Sequence, residues 1–284
     1  MQKLLVLQST WAMERRHTDG VERSMEENFT MIRDAGFDGI SDFYTDESHV
    51  ARAARWREGL GWSVEAMAFP KTVDDLKPAL ELAAKYPVHH LNLQPDVRLR
   101  RIDDCLPLID GWLRLAEEAD FPVVIETHRD RMTTDLFFTL DLLERYPELP
   151  LNADLSHYLV GREFAWPVDE ENHAMIRRIL RNAKAFHGRV ASREQIQVEI
   201  SFPHHKMWLD LFLDWWRYGF AHWKTQARAE ESLAFTCELG PKPYAITGPD
   251  GNDQSDRWAE TQMLRDVARE LWAGLADGEV GAGG

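Results

Sequence analysis

The chain has 284 residues, 44% of them hydrophobic, and carries 33 Lys and Arg against 48 Asp and Glu for a net charge of −15. That apolar content can bury a full core, and although the length admits two domains, barrels of this size close as one. The acidic balance sets nucleic acid aside as an expected partner, because phosphate binding depends on Lys and Arg, and leaves a small neutral or weakly charged molecule as the expected substrate. MQKLLVLQSTW leads straight into a strand-like segment with no signal-type apolar stretch, and no apolar run has bilayer length, so the cytoplasm is the expected compartment and no membrane partner is expected. Cys105 and Cys237 lack CxxC spacing, which argues against a disulfide framework or a zinc ribbon; Cys237 is expected in the core, facing away from its neighbour Glu238.

Apolar runs of strand length alternate with helical patterns, the signature of repeated βα units and a parallel sheet. The first strand is expected near 4–10, followed by the helix SMEENFTMIRDAG, which Gly36 can end in a left-handed conformation. The second, near 38–44, precedes HVARAARWREGLG, closed by Gly61; the third, near 63–69, precedes TVDDLKPALELAAKYP, closed by Pro87. The fourth, near 88–94, places His90, Asn92 and Gln94 on one face, and three polar side chains on a buried strand require a polar cavity. The fifth, near 122–128, reads PVVIETH, with Val124, Glu126 and His128 inward and Val123, Ile125 and Thr127 toward the helices. The sixth, near 150–156, carries Asp154, and the seventh, near 185–190, turns His187 and Arg189 inward. ASREQIQVEISFPHH then reads as a lid, with Gln195 and Gln197 available to substrate hydroxyls. Trp208, Trp215, Trp216 and Trp223 mark a helix buried in the core or in a subunit interface, so a homo-oligomer is admissible. The eighth strand, near 233–239, ends on Glu238, and a final helix is expected near 257–273. Eight such units close a single (β/α)8 TIM barrel over residues 1–275, with 276–284 as a flexible tail.

Four strands thus end on ligand-type side chains: Glu126, Asp154, His187 and Glu238. One glutamate at a strand end is ordinarily a loop residue, and one buried histidine ordinarily belongs to the core. Four in register on consecutive strands, at the end where barrels keep their chemistry, indicate one divalent metal ion. The oxygen-rich set suits Mn, Mg or Co, with Zn admissible. Trp11 and Trp166 fall in loops near the barrel mouth, where flat aromatic faces suit a sugar ring. Arg129 and Arg131 stand where they can meet an anionic substrate group or simply open a solvated loop.

Taken in order, LNLQP, ETHRDR, ADLSHY, FHGRV and ELGPKPY resemble the xylose isomerase-like sugar isomerase and epimerase family, a TIM-barrel superfamily that also contains AP endonucleases of the endonuclease IV type. The resemblance implies that Glu126, Asp154, His187 and Glu238 hold the metal and that Glu126 and Glu238 are the acid/base pair. It also implies that His157, in D-x-x-H, and Arg189, in H-x-R, contact substrate. His128, Gln197, Asn92, Gln94 and Trp11 complete the expected substrate-binding set, while the N-terminal third adds only Trp11, Ser41, Asp42 and Glu65 as loose candidates.

Proton transfer beside a sugar carbonyl generates an enediolate, whose charge a chelating metal stabilises, and two carboxylates on opposite faces perform an epimerisation. A hydride shift needs a second metal with its own carboxylates, and no such set is identified in the sequence. The expected activity is therefore a metal-dependent sugar isomerase or epimerase. The alternatives are a metal-dependent lyase or dehydratase on a keto-sugar or keto-glycoside, a phosphodiester endonuclease, and a non-catalytic sugar-binding barrel.

Overall fold

Eight parallel strands pair in chain order and close on themselves: β1 (Lys3–Ser9), β2 (Gly39–Phe43), β3 (Ser63–Ala68), β4 (His90–Leu93), β5 (Val123–Glu126), β6 (Leu151–Ala153), β7 (Ala183–Gly188) and β8 (Ser232–Cys237). The computed structural model describes residues 1–16 and 19–275, so the tail assigned to 276–284 lies outside the described residues. Every expected strand is present. Two of them stop short of their apolar runs for local reasons. After Asp154 the side-chain carboxylate accepts hydrogen bonds from the backbone N–H and hydroxyl of Ser156, which turns the chain into a helix. After Glu126, the Thr133 hydroxyl takes the Glu126 carbonyl and ends the ladder.

The helices are α1 (Met25–Asp34), α2 (Glu47–Trp56), α3 (Lys77–Lys85), α4 (Ile102–Glu117), α5 (Leu136–Arg145), α6 (Ser156–Gly161), α7 (Glu170–Leu180), α8 (Lys206–Gln226) and α9 (Arg257–Ala273). Ser24 and Glu27 form a capping box at α1, and Asp46, Asp135, Asp169 and Asp256 accept backbone N–H groups at the starts of α2, α5, α7 and α9. Gly36 adopts positive φ directly after the C-cap of α1, as expected, whereas α2 ends at Trp56 and Gly61 takes its positive φ later, in the connection to β3. The main core lies between strands and helices. The four tryptophans of α8 are buried within this chain, with Trp216 edge-on to Phe235 at 5.0 Å, so the core rather than an interface accounts for them. No helix among the described residues is long and apolar enough to cross a membrane.

Inside the barrel, Leu5 and Leu7 of β1 meet Ala185 of β7 and Ala234 of β8 in a small apolar cluster separate from the main core. Above it the interior turns polar. Register aligns Ser41 with Glu65, Glu65 with His90, and His187 with Thr236, so five polar side chains share one layer beneath the C-terminal mouth.

Candidate metal centre

The closure of the barrel brings Glu126, Asp154, His187 and Glu238 together, all buried, with one ligand atom from each lying within 4.8 Å of the others. Glu126 is the last residue of β5, Asp154 and Glu238 each follow their strand by one residue, and His187 sits inside β7. His187 Nδ1 lies 3.0 Å from Glu238 Oε2 and 3.6 Å from Glu126 Oε1, and its Nε2 lies 2.8 Å from Glu65 Oε1.

The flanking polar residues hold these ligands. Asn92 donates to Glu126 Oε2 at 2.5 Å, and Gln94 donates to both Glu126 oxygens at 3.0 Å. Both are expected substrate contacts; their NH2 groups go to Glu126, while Gln94 borders the cavity and Asn92 Oδ1 has no hydrogen-bond partner. Gln197 is also tied down by hydrogen bonds within the chain. Its Oε1 accepts from the Gly240 N–H at 2.8 Å and from Arg189 Nη1 at 3.2 Å, and its Nε2 donates to the Gly240 carbonyl at 3.0 Å. The segment 191–205 is accordingly not a free lid: Val198 and Ile200 are in the core, Ser201 is bonded to Glu260, and Gln195 faces solvent.

Arg189 is buried between two of the ligands, with Nη2 at 2.6 Å from Glu238 Oε2 and Nε at 3.3 Å from Asp154 Oδ2. Its guanidinium lies 4.6 Å from the Tyr244 ring centre and 5.6 Å from that of Trp11. His157 Nε2 stands 3.3 Å from Asp154 Oδ2, and its ring is 3.9 Å, centre to centre, from His128. A cavity of about 190 Å³ opens onto Glu238, Arg189, His128, Arg131, Gln94, Trp11 and Tyr244. Trp166 is half exposed and packs on Trp208 instead, away from these lining residues. Tyr244 was missed; its only sequence signal is an aromatic in the loop directly after β8. Asp42 lies in a neighbouring pocket, where it accepts from Thr10 and contacts His49 at 2.9 Å.

The donor chemistry fits a divalent cation. Three carboxylates crowd one buried space, and His187 Nδ1, 3.0 Å from Glu238 Oε2, forms no well-aligned hydrogen bond there. Burial, reinforced by the charges of Glu238 and Asp154 against the opposing pull of His187, pushes the Glu126 carboxyl up to about 8. Burial alone would lower His187, but Glu65, Glu126 and Glu238 outweigh it and hold the imidazole well above its ordinary value. Burial would also raise Asp154, yet His157 and Arg189 hold it low; for Glu238, Arg189 and His187 do the same.

A pH dependence follows. A group whose folded pKa exceeds its unfolded value lends stability that is complete below the unfolded pKa and lost as pH rises toward the folded one. For Glu126 that window runs from about 4.3 to about 8, and for His187 it begins near 6.5 and extends upward. The low-lying Asp154 and Glu238 have delivered their contribution by about pH 5. Metal-free protein is therefore expected to melt at lower temperature at pH 8 than at pH 6. Added Mn2+, which needs both protons gone, should raise the midpoint more at pH 8. Calorimetry with chelator and with Mn2+ checks this; a metal-induced shift that shrinks with pH would contradict it.

No protein-family model matches the sequence, and no curated protein matches it. Solved structures do match. A sugar phosphate isomerase/epimerase from Parabacteroides distasonis ATCC 8503 superposes with a TM-score of 0.57 at 11% identity, over 96% of this chain and 95% of that one. An AP endonuclease, family 2, from Brucella melitensis gives 0.55 at 11% identity, over 94% and 99%. At such identity the likeness shows the fold alone, the expected TIM barrel.

Proposed function

We propose that this TIM barrel is a divalent-metal-dependent isomerase or epimerase of a ketose or related sugar derivative, working by proton transfer. The observation that carries the reading is the buried cluster of Glu126, Asp154, His187 and Glu238, whose Glu238 opens onto a small, partly aromatic cavity. When bound by these four residues, a divalent ion, with Mn, Mg or Co favoured by the oxygen-rich set, supplies Lewis-acid stabilisation to charge developing on adjacent substrate oxygens.

The remaining work falls to the chain's own side chains. Glu126 and Glu238 reach the centre from different strands, so one can take a proton from the carbon beside a carbonyl and the other can return it. Asn92 and Gln94 fix the orientation of Glu126, and Arg189 fixes that of Glu238. Trp11 and Tyr244 stand edge to face, 5.2 Å apart, and offer an apolar wall to a sugar ring while excluding water. The net charge of −15 argues against a nucleic-acid substrate.

A second reading, elimination from a keto-sugar or keto-glycoside, is favoured by His157. It is buried, burial keeps it neutral, and its ring stands between Asp154, 3.3 Å from Nε2, and the cavity-lining His128, so it can pass a proton toward a leaving oxygen through His128. Incubating Mn2+-loaded protein with ketoses and keto-glycosides in D2O separates the readings. Isomerisation or epimerisation is expected to keep the carbon skeleton and add one deuterium beside the carbonyl, seen as one extra mass unit. Loss of water or of an aglycone would replace that reading with elimination. Ligand-dependent stabilisation without any reaction would point to a binding protein.

A further inference from the structure

We infer that Glu65 is the positioning residue of the metal centre: it holds the Nε2–H of His187 and so fixes Nδ1 as the nitrogen offered to the ion. The inference rests on the reading above and extends it to a residue one layer deeper.

Glu65 lies in the middle of β3 and is fully buried. Its Oε1 meets the Ser41 hydroxyl at 2.7 Å and His187 Nε2 at 2.8 Å, and its Oε2 meets His90 Nε2 at 3.0 Å and the Thr236 hydroxyl at 3.1 Å. Those partners come from four different strands, β2, β7, β4 and β8. An ionised carboxylate only accepts, so each facing atom must be a donor, and His187 must carry its hydrogen on Nε2. The other ring nitrogen then points between Glu126 and Glu238. It lies 3.0 Å from Glu238 Oε2 and 3.6 Å from Glu126 Oε1, the two acids grouped with it, and forms no well-aligned hydrogen bond to either. A proton or a metal cation can occupy that position among acceptor oxygens, and with Nε2 committed to Glu65, Nδ1 is the nitrogen that exchanges one for the other. With four donors converging on it, Glu65 has no freedom to turn, and neither has the imidazole. A carboxylate that orients a ligating histidine from behind raises its basicity and sets its tautomer.

The test uses the full chain stripped of metal, then titrated with Mn2+ by calorimetry. Glu65→Gln keeps the shape but turns one acceptor into an NH2 that faces donors. Its Mn2+ dissociation constant is expected to rise about 10–100-fold, and Ser41→Ala should show a smaller loss in the same direction. In Co2+-substituted wild type, the His187 Nε2–H should give a strongly shifted, slowly exchanging proton resonance that is lost or displaced in Glu65→Gln. A residue that merely props up the barrel would lower the melting point and leave both readouts alone. Wild-type protein that binds Mn2+ alongside a Glu65→Gln variant with unchanged affinity and ring signal would overturn the inference. If that variant does not fold, unchanged affinity and signal in Ser41→Ala would do so. Wild-type protein that binds no Mn2+ would bring down the centre itself, and this assignment with it.

Discussion

The double substitution Glu126→Gln/Asp154→Asn is expected to emerge from reconstitution without a divalent ion, while the wild-type protein retains one per chain and the variant keeps its fold. Both replacements are nearly isosteric, so the packing around β5 and β6 need not change. What changes is charge. Two of the three carboxylates that converge within 4.8 Å disappear, leaving His187 and Glu238, and Glu238 is already shared with Arg189 at 2.6 Å. The affinity loss should exceed the roughly 10–100-fold that follows removal of an outer partner, because two ligands are gone. Turnover should fall to background with it. Metal-free stability should hold up better than the burial of these residues suggests, since Glu126 is crowded by like charge and its carboxyl is pushed up to about 8. Elemental analysis of both proteins, with circular dichroism to confirm folding, checks the result; one ion retained in the double variant would remove these residues from the site. Glu238→Gln should show the same loss of metal and turnover from the opposite side of the cavity.

Apolar runs alternating with helical patterns are enough to place all eight strands, and period-two alternation puts His90, Asn92, Gln94, Glu126, His187 and Arg189 inside the barrel, because a side chain's face depends only on its own strand. What those inward groups touch depends on closure. His187 meets Glu65 across 122 positions of sequence, and Thr236 meets it across 171. No local pattern in β3 distinguishes Glu65 from Asp42 in β2, yet one supports the centre and the other faces a neighbouring pocket. For the same reason the hydrogen bonds that Asn92, Gln94 and Gln197 make to Glu126, Gly240 and Arg189 cannot be read from their own strands or loop. Loop residues were the least legible. Trp11 and Trp166 look alike in sequence, but only Trp11 packs over Arg189 at the cavity, because loop paths are set by contacts the chain makes elsewhere.

Arg189→Met is expected to separate the metal-free and metal-loaded states by their stability. The guanidinium is 1% exposed, bonded to Glu238 and Asp154, and enclosed by Tyr244 and Trp11. In the absence of metal it is the cation that faces those two carboxylates most directly. Methionine fills the space and packs well against aromatic rings, but it strips both buried acids of the guanidinium, leaving Glu238 with His187 and Asp154 beside the neutral His157. Breaking a buried pair in this way costs about 3–5 kcal/mol, which for a chain of this size lowers the melting point by roughly 10 °C. A divalent ion bound to the same carboxylates restores positive charge where it was removed. The loaded variant should therefore recover much of the loss, and the metal-induced shift should be larger in Arg189→Met than in wild type. Arg189→Lys, which keeps the charge but loses the two-pronged geometry, should fall between them. Paired melts with chelator and with saturating Mn2+ read this directly. If Arg189 served substrate alone, the metal-free variant would melt within about 1 kcal/mol of wild type and its metal-induced shift would be unchanged. The two outcomes differ because one cation holds Asp154 and Glu238 in place before the other arrives, so deleting the first raises the stability gained from the second.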